Sequence, residues 1–275
     1  MSYIVEMNEV SMAYRGPNGS PIEVLKKFNL SVEPGTFLAI LGPSGCGKTT
    51  ILNLIGSLIK ETSGRINVIG KSPEDALRER AFSFVFQNPV LLPWRTVREN
   101  VALAGEIFHD ENIVKRAENY VLMLGLTDFL DAYPAQLSGG MQARVAIARA
   151  FSYEPKLLLL DEPFGALDSM TRTAMNTLLL NLLNQNSSIT TVLVTHSIEE
   201  AIYLADRVIV LSDRPADILW NEQILMEKPR NLATRNSQDF LKYHREVEQV
   251  VFGNGLKLNS HGDFSLKYEK RRFNK

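Results

Sequence analysis

The chain has 275 residues, 45% hydrophobic and 22% charged, a globular composition with enough apolar side chain for one large domain or two small ones. Thirty basic against thirty-one acidic residues leave a net charge of -1, so no global field draws the chain to nucleic acid or anionic lipid. The single cysteine, Cys46, excludes an intrachain disulfide and fits a reducing compartment; MSYIVEMNEV at the N-terminus lacks a signal peptide's basic and apolar regions, and no apolar run reaches about 18 residues, so a soluble cytoplasmic chain is expected.

Positions 3 to 32 read as short strands. Val10, Met12 and Tyr14 alternate with polar or small residues, as do Phe28, Leu30 and Val32, with the turn-rich RGPNGSP between them, which predicts a small antiparallel sheet. From Phe37 onward, apolar strands at Phe37–Leu41, Phe82–Phe86, Leu157–Leu160, Thr191–Val194 and Val208–Leu211 alternate with helical stretches. Strands apolar on both faces imply an α/β fold with a mainly parallel sheet. Between the second and third of them lie about seventy residues with helical spacing, for example Val114, Ala117, Val121 and Leu124, read as an inserted helical subdomain at about 90–153. A domain over 1–225 is therefore expected. Residues 226–275 form an extension with a helix through Phe240, Leu241, Tyr243 and Val247. It ends in a polar tail whose last stretch, from Gly253, has six basic and two acidic residues and is expected to be disordered.

Two stretches carry chemistry. GPSGCGKTT at 42–50 has the spacing G-x-x-x-x-G-K-T between a buried-strand pattern and a helical one. Gly42, Gly45 and Gly47, with Pro43, Ser44 and Cys46 between them, let backbone N–H groups turn toward a polyphosphate at the positive end of the next helix. Lys48 reaches the phosphates, Thr49 offers a hydroxyl to Mg²⁺, and Thr50 stands toward the α-phosphate. LLLLDEP at 157–163 is an apolar strand ending in adjacent acids, with Asp161 placed for the metal's water shell and Glu162 beside it. Together these define a P-loop nucleoside triphosphatase.

QLSGGMQARVAIARAF at 136–151 narrows the class. Ser138-Gly139-Gly140 opens a helix as a second anion-binding terminus without a lysine, and this resembles the signature of ATP-binding cassette ATPases. The resemblance runs from about position 4 to 225 and implies that two copies, or this chain and a related ATPase subunit, meet head to tail around ATP. Ser138, Gly139 and Gly140 of one would complete the pocket of Lys48 and Thr49 of the other. It also implies that Tyr14 stacks on adenine, Gln87 senses metal and water, Asp168 in GALDS crosses the dimer contact, and His196 touches the γ-phosphate. One departure is visible: Met141 follows Gly140 where the common signature has glutamine, and Gln142 comes one place later.

The resemblance implies in-line attack of water on the γ-phosphate, with Glu162 as base and His196, Gln87 and Lys48 assisting. NPVLLPWRTVREN after Gln87 carries an apolar knob, Leu91, Leu92, Pro93 and Trp94, open to two readings: packing of the helical insertion, or the groove that receives a helix of a membrane permease. LLPWRTVREN with DEPFGALDSMTR is most similar to importers of nitrate, taurine and aliphatic sulfonates, which implies a cassette at the inner face of the membrane, bound through permease subunits and served indirectly by a solute-binding protein. The cargo is not encoded here. Two other classes stay in view: a cassette ATPase working on ribosomes or DNA, whose usual second cassette or long insertion is missing, and a metabolic kinase, which would leave LSGGM and His196 unexplained. The basic end at Lys270-Arg271-Arg272 reads as a solvated charge run or a lipid contact.

Overall fold

The computed structural model describes residues 3–253 and, beyond them, the backbone of Leu256–Leu258 and Phe264–Leu266. In chain order, β1 (Val5–Arg15) and β2 (Pro21–Val32) form a hairpin, and β3 (Phe37–Leu41) runs into α1 (Lys48–Ile55). Next come β4 (Ser63–Val68), the short α2 (Pro73–Arg78) and β5 (Phe82–Val85). The helical insertion holds α3 (Val97–Phe108), α4 (Glu111–Met123) and α5 (Gly139–Ser152). After it come β6 (Leu157–Asp161), α6 (Ser169–Gln185), β7 (Thr190–Val194), α7 (Ile198–Leu204), β8 (Arg207–Leu211), β9 (Ile218–Gln223) and α8 (Gln238–Gly253).

The main sheet has the order β5-β6-β7-β3-β8-β9, parallel except for β9, which pairs antiparallel with β8. Its inner strands are apolar throughout because both faces are covered. Leu38, Ile40, Leu157, Leu159, Val192 and Val194 pack toward α1 and the smaller sheet. Ala39, Leu41, Leu158, Leu160, Leu193 and Val208 pack toward the insertion and α6 to α8. Alternation along each strand thus feeds two cores, one per face.

The smaller sheet is three-stranded, order β2-β1-β4, and antiparallel. Its strands are longer than the alternation suggests, because the buried set slips phase. Val5 and Met7 are buried, then Val10 and Met12, across a register shift at Glu9, whose φ is +48°. An extra residue in a bulge resets which parity faces the core.

In the insertion, α3 and α4 meet at Gly105, where a Cβ would lie 2.6 Å from Val114 Cγ2, so a glycine is what permits the approach. Thr96 and Glu99 form a capping box that starts α3. Past the boundary expected at residue 225, Ile224, Met226, Phe240 and Val247 belong to the same core as β8 and α7, so the extension through α8 packs onto the main body. Arg230 fixes it there, its Nη1 donating to Ile202 O, Tyr203 O and Ala205 O at 3.4, 3.2 and 2.7 Å, which serves carbonyls at the end of α7. Beyond α8, β10 (Leu256–Leu258) and β11 (Phe264–Leu266) pair antiparallel, where the sequence suggested a tail without structure. The charge run Lys270-Arg271-Arg272 lies outside the described residues.

Candidate active site

The loop between β3 and α1 is held from within. Lys48, 5% exposed, donates Nζ–H bonds to Gly42 O and Pro43 O, both at 2.9 Å, so the two carbonyls position the ammonium and one of its three hydrogens stays uncommitted. Gly47, the N-cap of α1, has φ +127°, and a Cβ there would lie 2.7 Å from Val24 Cγ1. No side chain caps α1 and no acid stands in its first turn, so its leading amides keep their capacity for an anion. Cys46 enters the loop's expected role through its backbone amide, and its side chain turns inward. Its thiol is buried in the same core as Leu38 and Ile40, its amide donates to Pro43 O at 3.3 Å, and burial pushes the thiol pKa up.

A depression of about 330 Å³ opens over this loop, lined by Tyr14, Ser44, Gly45, Gly47, Lys48, Thr49, Thr50, Gln87 and Glu162, nine of the expected residues, and by Val24 and Arg214. Tyr14 is 39% exposed, and its hydroxyl lies 3.2 Å from Thr50 Oγ1, which places an aromatic face at the rim. Thr49 donates to Asp161 Oδ1 at 3.0 Å. Burial raises the Asp161 carboxyl above its ordinary range and Glu162 adds to this, while the Thr49 hydroxyl and Lys48 pull the other way. A buried carboxylate with a hydroxyl beside it is a hard-oxygen donor set that a small divalent cation would relieve of its desolvation. One carboxylate and one hydroxyl fit Mg²⁺, an ion held by one or two carboxylates and the substrate's phosphates.

Glu162 follows β6 with φ +43°, a left-handed conformation that non-glycine residues adopt sparingly, and its amide donates to Val194 O at 2.9 Å. The backbone is therefore bent and tied so that the side chain enters the depression. There Glu162 Oε2 lies 2.9 Å from His196 Nδ1. A carboxylate has no hydrogen to give, so Nδ1 donates and Nε2 is left for a second partner.

The remaining expected residues lie outside this depression. Ser138 is the N-cap of α5, its hydroxyl accepting from Met141 N at 3.3 Å, with Gly139 and Gly140 opening the helix. Gln142, displaced one place by Met141, donates to Pro134 O at 2.9 Å and so secures the turn before the serine. Asp168 caps α6, accepting from Met170 N and Thr171 N at 3.0 Å each, and bonds from Thr171 hold its carboxyl below the usual range. On the knob, Leu91 packs against the core while Trp94 is 70% exposed, and buried Asn100 fixes the loop through Leu92 O, Arg95 O and Thr96 O. Arg149 of α5 donates to Val90 O at 3.1 Å, linking the helix begun by Ser138 to the segment after Gln87. Val24 and Arg214 stand in no motif, and the Arg149–Val90 bond joins two stretches that the sequence left separate; only the folded chain brings them together.

The profile of the ABC transporter family matches residues 25–165. The chain belongs to the ABC transporter family. Over 242 residues, 87% of this chain and 88% of the other, it is 42% identical to the ABC transporter ATP-binding protein MJ0412 of Methanocaldococcus jannaschii. It is 44% identical over 78% of its length to the nitrate import ATP-binding protein NrtC of Synechococcus elongatus, of which it covers 33%. It is 38% identical over 92% of its length to the aliphatic sulfonates import ATP-binding protein SsuB of Bacillus thuringiensis, of which it covers 97%. Among solved structures, the dimeric cassette MJ0796 superposes with a TM-score of 0.70 at 36% identity, covering 81% of this chain and 100% of that one. The same cassette has been solved as a dimer in a post-hydrolysis state with ADP and Pi. This ABC cassette is thus an ATP-binding ATPase with a P-loop fold, and no helix among its described residues is long and apolar enough to cross a membrane.

Proposed function

We propose that this cassette is the ATP-hydrolysing subunit of a small-solute importer, acting as a pair of cassettes against membrane permease subunits at the inner face of the membrane. One observation carries the hydrolytic half: Glu162, in contact with His196 Nδ1 at 2.9 Å, lines the same depression as Lys48, Thr49 and Gln87. The loop amides and Lys48 receive the β- and γ-phosphates, and Tyr14 meets the base. Thr49, Asp161 and Gln87 would hold Mg²⁺, which when bound offsets phosphate charge. Glu162 accepts a proton from water as the water oxygen bonds to the γ-phosphorus and the bond to the β–γ bridging oxygen breaks, leaving ADP and phosphate. His196 keeps the carboxylate aimed.

Ser138, Gly139, Gly140 and Asp168 stand on helix termini away from this depression, so they serve the ATP of a second cassette; the dimeric relatives support that pairing. The knob with exposed Trp94, fixed by Asn100 and joined to α5 through Arg149, is the surface offered to the permease. The import subunits for nitrate and aliphatic sulfonates among the relatives support an importer of a small anion, chosen outside the cassette.

Glu162→Gln keeps size and hydrogen bonding but cannot take the proton. ATP affinity should stay near that of the parent, hydrolysis should fall by roughly 100-fold or more, and an ATP-bound dimer should accumulate on size exclusion. Parental turnover in this variant would remove Glu162 from its role. Uptake of nitrate and of an aliphatic sulfonate by cells with and without the intact cassette tests the import half.

A further inference from the structure

Beneath His196 lies a buried acid that the hydrolytic arrangement leaves unused. Glu200, 3% exposed, accepts the Thr195 hydroxyl on Oε2, while its Oε1 is buried with no hydrogen-bond partner among the described residues. It is the third residue of α7, whose N-cap is Ser197. A glutamate there ordinarily reaches back to the cap's own amide. Here that amide donates to Thr195 Oγ1 at 3.1 Å instead, and Ser197 Oγ takes the Glu200 amide at 3.3 Å. Capping is thus complete without the carboxyl of Glu200.

The hydroxyl of Thr195 is used in both directions, accepting from Ser197 and donating to Glu200, so residues 195 to 197 close into a fixed turn with His196 at its apex. Thr195 N donates to Ile40 O at 3.2 Å, tying the turn to β3. Burying a carboxyl is unfavourable, and burial indeed lifts Glu200 above its ordinary range, with the Thr195 hydroxyl, Arg172 and His196 acting against it and Glu162 adding to it. An apolar side chain would fill the space without that penalty. Arg172 in turn donates to Phe164 O, Gly165 O and Leu167 O, in the turn that follows Glu162. Glu200, through Thr195, and Arg172, through the carbonyls after Glu162, therefore brace the chain on both sides of the Glu162–His196 contact.

We propose that Glu200 is a positioning residue for ATP hydrolysis, which through the Thr195 hydroxyl fixes the turn that aims His196 at Glu162. This rests on the roles given above to Glu162 and His196.

The test uses the full chain and measures kcat per nucleotide-binding site, KM for ATP, and melting. Glu200→Ala should lower kcat by about tenfold with KM nearly unchanged, since a misaimed catalytic group affects the transition state more than binding. Glu200→Gln, which keeps the acceptor, should recover most of the rate. In a His196→Ala background, Glu200→Ala should cost nothing further. Parental kcat in Glu200→Ala, equal losses in Gln and Ala variants, or losses that multiply with His196→Ala would each overturn the proposal. If Glu200→Ala does not fold, Thr195→Val, which removes only the hydroxyl, is read by the same criteria. Glu162→Gln in parallel separates the two claims: if it stays active, the reading of Glu162 fails; if it is inactive while Glu200→Ala is unimpaired, only the role of Glu200 fails.

Discussion

Helices α1 and α5 both begin at glycine-rich turns, and they treat their first amides in opposite ways. At α1 the N-cap is Gly47, which has no side chain, and the loop before it is held open by Lys48 bonding back to Gly42 O and Pro43 O. At α5 the N-cap is Ser138, whose hydroxyl already serves Met141 N. The first terminus leaves its donors for a ligand; the second is a finished helix start that can stand exposed without one. In the proposed function a polyphosphate is therefore gathered at α1, and α5 would add a hydroxyl and amides to a ligand that is already held. That asymmetry matches a site completed by a second copy.

The comparison breaks first at Lys48. Lys48→Ala removes the buried ammonium and leaves two loop carbonyls without their donor, so ATP affinity should fall by about 100-fold or more while far-UV circular dichroism stays parental. Affinity within threefold of the parent, read by titration with a fluorescent ATP analogue, would mean the loop amides suffice and α1 is no different from α5. Asp161→Asn gives a smaller and two-sided effect. The folded carboxyl is raised above its ordinary 3.8, so the charged form is a burden on the folded state at neutral pH that vanishes as pH falls toward that value. Without nucleotide, Asp161→Asn should melt higher than the parent at pH 8, and the gap should narrow as pH falls toward 3.8, while Mg²⁺-dependent hydrolysis drops roughly tenfold or more. A lower melting temperature at pH 8 would contradict the burial argument.

The same contrast explains what the sequence made legible. The strands of the parallel sheet were readable within a residue or so at each end because burial on both faces leaves an unbroken apolar run, as in Leu157–Leu160. Strand β4 was not: in Ser63–Val68 only Ile66 and Val68 are buried, and Gly64 and Arg65 carry no strand pattern. The bulges at Glu9 and Lys27 hid the true length of β1 and β2, since a phase slip looks like the end of alternation. At the site, the motif residues around the loop came out together because one tight turn fixes them. The inward turn of the Cys46 side chain was not legible, since a residue within the motif can offer its amide to the loop and still bury its thiol. Val24 and Arg214 had no signal because their place at the depression comes from sheet packing. The buried Glu200 looked like any first-turn acid of a helix, and nothing short of its Thr195 contact marks it out.

Ser138→Ala gives the smallest effect and sharpens the comparison most. Ser138 does two things that can be measured apart. As an N-cap it satisfies Met141 N, and its loss should destabilise the cassette by about 1 kcal/mol in urea unfolding. As a donor to the second copy's nucleotide, it should matter only once two cassettes meet. ATP affinity measured where the protein is monomeric should therefore be unchanged, while kcat under dimer-forming conditions should fall several-fold. Ser138→Asp separates the two roles further, because aspartate caps a helix as well as serine but places a negative charge against phosphate. Stability should return to the parental value while hydrolysis falls below that of the alanine variant. If hydrolysis recovered along with stability, the hydroxyl would matter only as a cap, and α5 would be a helix terminus like that of α6, with no part in clasping nucleotide.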